Sequence, residues 1–156
     1  MPGLPVTGSF SAPVEIVIPA IKLDARIESV GQDAAGAMGV PKDIHDAAWY
    51  QNGPAPGDPG DAVIDGHLDW YTGPAVFWNL GRLKPGDAIA VTLSNGTRVN
   101  FSTVATATYP YVSRVPGLFA TSGRPELSLI TCAGKWDAQA HLYLSRLVVS
   151  ATVVGT

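Results

Sequence analysis

Hydrophobic and polar positions along this chain alternate in short stretches, and the alternation is that of strands. In residues 88–93, Ile89, Val91 and Leu93 alternate with Ala88, Ala90 and Thr92, the period expected where one sheet face is buried more deeply than the other. Asn95-Gly96 follows and supplies the two positive-φ positions of a tight hairpin turn, and residues 97–101 return as the partner strand. The same reading predicts strands at 14–19, 22–30, 62–67, 103–109, 127–132 and 142–154. No segment sustains a helical period, although short helical turns fit 76–80 and 115–120. Residues 51–61 hold Gly53, Pro54, Pro56, Gly57, Pro59 and Gly60 and form a loop. About eight strands without long helices predict a mostly-β fold, a closed or nearly closed antiparallel barrel, because closure removes unpaired edges. Residues 1–12 read as a loosely held arm and 13–156 as a single domain.

Composition sharpens this picture. Hydrophobic residues make up 46% of the 156-residue chain and charged ones 15%, enough for one packed core. The 17 Gly and 13 Pro punctuate it at short intervals. A net charge of -3 with no Lys/Arg cluster argues against nucleic acid as a partner. No apolar stretch approaches the roughly 20 residues needed to span a bilayer. The first ten residues have neither a basic start nor an apolar run, so no signal peptide is expected among them.

The single cysteine, Cys132, excludes an internal disulfide. It closes Leu127-Ser128-Leu129-Ile130-Thr131 and precedes Ala133-Gly134, so it is expected at the end of a core strand. There it is either a nucleophile on a rigid element or a small packed apolar group. Arg146 is the only charged residue of 142–154. A guanidinium cannot lose its charge, so it needs an acidic partner, a route to water, or a ligand carbonyl. His67 ends the predicted strand 62–67, behind Gly66, whose bare backbone admits a close approach. His45 and His141 are the other histidines, and the residues alone do not choose among the three. Asp65, Asp69 and Glu126 are read as solvated groups rather than cation ligands, and no metal site or cofactor is expected, since ligand spacings are missing.

Taken together, Gly66-His67 at a strand end, Ser128-Leu129-Ile130-Thr131-Cys132, and Arg146 in the following strand resemble the sortase family. Its nucleophile pattern is Thr-Leu-x-Thr-Cys, here with Ser128 in place of the first Thr. The resemblance runs from Val14 to Val153, and the composition with Gly66-His67-Leu68-Asp69 is most similar to class F enzymes of actinobacteria, then class E. It implies a barrel whose groove is floored by the Cys and Arg strands, in an enzyme on the extracellular face of the membrane of a Gram-positive cell, its anchor outside this sequence. That enzyme cuts a Leu-Pro-x-Thr-Gly sorting signal between Thr and Gly through a thioester and passes the acyl group to a cell-wall or pilin amine. By this resemblance Cys132 is the nucleophile, His67 the acid/base and Arg146 the oxyanion clamp; Thr131 orients the strand end or a substrate group, and Ser128 is a substrate-side residue. Cationic His67 and Arg146 are expected to favour the thiolate.

Leu4-Pro5-Val6-Thr7-Gly8 itself spells a sorting signal, but on an N-terminal arm with no apolar segment or basic tail after it. It is read as a pseudo-substrate able to dock in the groove by β-augmentation. Two rival readings stand beside the transpeptidase. A non-catalytic surface β-domain, such as an adhesin or pilin module, leaves Arg146 and Cys132 unexplained. An L,D-transpeptidase lacks here the Ser-His-Gly stretch expected before its cysteine.

Overall fold

The structure, a computed structural model, describes residues 11–34, 36–111 and 113–155. The sorting-signal-like stretch Leu4 to Gly8 lies outside the described residues. Ten strands follow in chain order: β1 (Pro13–Ile18), β2 (Leu23–Val30), β3 (Ala47–Tyr50), β4 (Asp61–Asp65), β5 (Asp69–Trp70), β6 (Gly73–Pro74), β7 (Ala88–Leu93), β8 (Arg98–Pro110), β9 (Glu126–Asp137) and β10 (Leu142–Gly155). Eight of them close a barrel in the order β1-β2-β3-β4-β9-β10-β8-β7, while β5 and β6 form a small ribbon outside it. The mostly-β closed barrel expected from the alternation is what forms.

The purely antiparallel pairing is corrected. β2 runs parallel to β3, and β4 parallel to β9. Both pairs have the long connections that parallel neighbours require, through residues 31–46 in one case and everything between β4 and β9 in the other. β3 escaped the sequence reading because its four residues, Ala-Ala-Trp-Tyr, include two alanines and show no alternation. The strands predicted at 97–101 and 103–109 are one strand. β8 pairs with β7 only as far as Ser102 and continues against β10 to Pro110.

The 95–96 turn also differs. Gly96 takes φ 90°, but Asn95 is not among the residues with positive φ. Its side-chain oxygen accepts the Thr97 N–H at 2.9 Å instead, so the amide closes the turn that a second left-handed residue would otherwise make. The first predicted helical turn, with Leu80 N–H bonded to the Phe77 carbonyl at 3.0 Å, leads into a short 3-10 helix at Leu80–Arg82, and the second is a turn in which Leu118 N–H bonds to the Val115 carbonyl at 3.3 Å.

Inside the barrel, Ile16, Ile18, Ile64, Phe77, Leu80, Ile89, Val91, Phe101, Leu127, Leu129 and Val149 pack into one core. Ala12 packs against this core and its carbonyl accepts Ser94 N–H at 2.8 Å, immediately before β1 starts at Pro13. A second cluster lies outside the barrel, on the outer face of β4, β9 and β10. Val63, Ile130 and Val148 form its floor, and Val115, Leu118 and Phe119 pack over them. Strand alternation then puts Asp65, Cys132 and Arg146 on that same outer face, two residues along from Val63, Ile130 and Val148.

Candidate active site

Register brings Cys132 and Arg146 together. They are direct cross-strand partners on β9 and β10, so their side chains leave the same face with Cβ atoms about 5 Å apart. Just past them the register shifts: Gly134 and Lys135 face the single residue Leu144, because Ala133 pairs with Ser145 and Trp136 with Tyr143. Gly134 holds φ +79°, and a Cβ there would lie 2.9 Å from Ser145 Oγ, so only glycine fits this bulge. The strand does not end at Cys132, as the sequence reading held. Burial ends there instead, since residues 127–131 are buried and Cys132 and Ala133 only partly so.

His67 is aligned with the thiol from the other side. β4 runs in register with β9 up to Asp65 opposite Ile130, and Gly66 N–H continues the ladder to the Ile130 carbonyl at 3.1 Å. Thr131, buried beside Cys132, donates its hydroxyl to the Gly66 carbonyl at 2.8 Å. The His67 carbonyl accepts Phe77 N–H at 3.0 Å. A Cβ on Gly66 would come within 2.8 Å of the Phe77 ring, so the close approach inferred at this glycine is made by a core side chain. These ties fix the backbone that carries the imidazole. Ser128 is likewise buried and donates to both carboxylate oxygens of Asp61 at 2.9 Å. Both hydroxyls are bonded inside the fold, joining β9 to β4, and Thr131 orients the strand end beside Cys132.

An open groove of about 860 Å³ contains Cys132 and His67, with Trp70, Tyr71, Tyr111, Trp136 and Tyr143 among its walls. His141 also lines it, but from the β9–β10 turn beyond Asp137, roughly 15 Å along the strand from Cys132 at the usual rise. His45 lines a separate 290 Å³ cavity with Lys22 and Trp78. Of the three histidines, His67 is the one held against the thiol's own rung of the sheet.

Electrostatics correct one expectation. The Cys132 thiol is pushed above its ordinary 9.0, first by burial, then by the Asp69 carboxylate; Arg146 pulls it down but is outweighed. Arg146 donates from Nη2 to the Tyr111 carbonyl at 2.7 Å, and its guanidinium carbon sits 4.6 Å from the Tyr111 ring centre. Its Nε is buried and without a hydrogen-bond partner among the described residues, as is Asp65 Oδ1. Asp65 is thus not the solvated group the sequence suggested. Burial raises its carboxyl from 3.8 to about 8 against the pull of Arg146. Asp69 accepts the Tyr143 hydroxyl on both oxygens, at 2.9 and 3.0 Å. Among the described residues no group of three or more His, Cys, Asp or Glu could hold a metal.

The aromatic wall and Asp65 were missed from sequence. The wall is contributed by residues far apart in the chain that no local spacing connects, and Asp65 carries no sign of burial except its alternation with Val63.

The sortase-domain family model matches residues 16–154. The chain belongs to the sortase family. Sortases are cysteine transpeptidases that act on sorting-signal substrates at the cell surface, and this is a sortase-type transpeptidase domain. Solved structures share the fold. Sortase C1 of Streptococcus agalactiae is 19% identical with a TM-score of 0.71, over 92% of this chain and 67% of that one. A lid mutant of sortase A from Corynebacterium diphtheriae is 22% identical with a TM-score of 0.72, over 97% and 76%. Sortase C-1 of Actinomyces oris is 24% identical with a TM-score of 0.68, over 92% and 73%. A search of curated proteins returns no match. No helix among the described residues is long and apolar enough to cross a membrane.

Proposed function

We propose that this sortase cleaves a Leu-Pro-x-Thr-Gly type signal between Thr and Gly at the extracellular face of a Gram-positive cell, and transfers the acyl group to a cell-wall or pilin amine. In this reading it is a class F enzyme, with class E the next alternative. The observation that carries it is the pairing of Cys132 with Arg146 on one rung of the sheet, with the Gly66 N–H bond to Ile130 holding the chain just before His67 against the Cys132 strand. Cys132 passes its proton to His67, and the thiolate attacks the Thr carbonyl. Negative charge develops on the carbonyl oxygen, where Arg146 exchanges the Tyr111 carbonyl for the oxyanion. The His67 imidazolium then protonates the departing glycine amine, leaving a Cys132 thioester. An incoming amine reverses these steps and releases the new amide.

Val63, Ile130 and Val148 are buried under Val115, Leu118 and Phe119 and form a closed apolar cluster on the sheet face that carries the reacting side chains. The arm residues Leu4, Pro5, Val6, Thr7 and Gly8 are proposed to compete in the Cys132 groove as a pseudo-substrate. The test is cleavage of a quenched Leu-Pro-Val-Thr-Gly peptide by wild type and by Cys132→Ala, His67→Ala, Arg146→Ala and Arg146→Lys. Each variant is expected to lose about a hundredfold or more in kcat/KM. Arg146→Lys belongs in this group because a point charge does not reproduce the guanidinium fork. Turnover by Cys132→Ala, or near-normal turnover by Arg146→Lys, contradicts the assignment.

A further inference from the structure

Arg146 Nε and Asp65 Oδ1 are the only buried side-chain nitrogen and oxygen without a hydrogen-bond partner among the described residues. Buried polar groups are almost always bonded, so an orphaned donor and an orphaned acceptor on one sheet face call for a physical reason. Asp65 on β4 pairs with Ile130 of β9, Ile130 with Val148 of β10, and Arg146 lies two residues along β10 from Val148. The Arg146 charge reaches Asp65, since it pulls that carboxyl down against the effect of burial. Yet the guanidinium is turned elsewhere. Its Nη2 donates to the Tyr111 carbonyl at 2.7 Å, and the Tyr111 N–H is itself held by the Leu144 carbonyl at 2.8 Å. Tyr111 lines the groove, whereas neither Arg146 nor Asp65 is among its lining residues. Asp65 therefore acts on a groove-bound peptide only through another side chain.

Resting on the transpeptidase reading above, we propose that Asp65 is a positioning residue for Arg146: its carboxyl oxygen receives the Arg146 Nε–H when the guanidinium leaves the Tyr111 carbonyl for the substrate oxyanion. Nε lies at the root of the guanidinium and the Nη groups at its end. A bond at Nε therefore fixes the plane of the fork and leaves the terminal N–H groups free for the oxyanion. The two orphans satisfy each other at the step where negative charge develops, so the clamp is held most firmly in the transition state. Burial holds the Asp65 carboxyl at about 8, so near neutral pH it is the uncharged acid. An uncharged acceptor takes the Nε–H without cancelling the positive charge that the oxyanion needs, whereas a carboxylate would pair with the guanidinium and repel the oxyanion. Keeping an acid beside the apolar cluster of Val63, Ile130 and Val148 costs stability, and no bond to Oδ1 offsets that cost while Arg146 is turned to Tyr111. Asp65 exchanges no proton and forms no covalent bond in this role.

The experiment measures kcat and KM for a Leu-Pro-Val-Thr-Gly peptide at neutral pH in wild type, Asp65→Ala, Asp65→Asn, Arg146→Ala and the double variant Asp65→Ala with Arg146→Ala. Asp65→Ala is expected to lower kcat about tenfold or more and to change KM by less than about twofold, because the bond is made only as the oxyanion forms. Asp65→Asn keeps an uncharged acceptor oxygen and is expected to bring kcat back to within about threefold of wild type. In the double variant, loss of Asp65 is expected to add less than about twofold to the loss from Arg146→Ala, since without a guanidinium Asp65 has nothing to hold. Asp65→Val, which matches the neighbouring Val63 in shape, is expected to lose kcat as Asp65→Ala does and serves if the smaller variant is unstable. Wild-type kcat in Asp65→Ala or Asp65→Val, or a double-variant loss equal to the product of the two single losses, overturns the positioning role and leaves the transpeptidase reading intact. Absence of cleavage by the wild type overturns that reading, and the positioning role with it.

Discussion

Replacing Asp65 by Asn should change how the stability of the domain responds to pH. Asp65 ends β4 on the outer face of the sheet, with Oδ1 buried and unpartnered among the described residues. Burial raises its carboxyl from 3.8 to about 8. Below about pH 4 the group is protonated in both the folded and unfolded chain and costs nothing. As pH rises, the unfolded chain releases this proton while the folded one keeps it, so folding loses stability until about pH 8, beyond which both are ionised. The slope for one proton is about 1.4 kcal/mol per pH unit, and the full cost across the interval comes to about 6 kcal/mol. Asp61, raised by burial to about 6, adds a similar slope over the lower part of the range, but it is present in both proteins and cancels in their difference. Urea unfolding of wild type and Asp65→Asn from about pH 5 to about pH 7.5 gives that difference directly. It should widen in favour of the variant by about 1.4 kcal/mol per pH unit. Parallel curves would refute the argument and show that Asp65 is ionised in the folded protein.

Three further outcomes are expected. Thr131→Val removes the hydroxyl bonded to the Gly66 carbonyl; it should cost about 1–2 kcal/mol in urea unfolding and lower kcat more than it raises KM, since the backbone carrying His67 is loosened. Gly134→Ala puts a Cβ 2.9 Å from Ser145 Oγ at φ +79°, and should lower stability by about 1–3 kcal/mol, with part of that recovered in the double variant with Ser145→Gly. Deleting residues 1–12 should raise the cleavage rate of an added peptide; an unchanged rate shows the Leu4 to Gly8 stretch to be a bystander.

Much of the barrel was legible because alternation is a local signal. Ile89, Val91 and Leu93 announce one buried face regardless of their neighbours. The parallel pairings were not, because nothing in β4 says that its partner is β9 rather than an adjacent hairpin strand. The proposed reacting residues Cys132, His67 and Arg146 could be named as a set from the family pattern, whereas their surroundings could not. Thr131 and Ser128 sit in the motif and look available, and only the register of β4 on β9 shows that Gly66 and Asp61 consume them. The direction in which the thiol's pKa moves was hidden for a related reason. The cation at Arg146 can be named from sequence, whereas burial and the placement of Asp69 beside the sulfur, which together outweigh it, arise from the tertiary fold. Arg146 itself showed its difficulty in advance, as a lone charge in an apolar strand. Its answer, the Tyr111 carbonyl and ring, lies on a different element.

The central claim, a covalent acyl intermediate on Cys132, is tested most directly by intact-protein mass spectrometry after brief mixing with a Leu-Pro-Val-Thr-Gly peptide. Wild type should gain the mass of the peptide up to Thr, on Cys132, in a form discharged by hydroxylamine, and Cys132→Ala should gain nothing. Cleavage between Thr and Gly that proceeds equally in Cys132→Ala would contradict it.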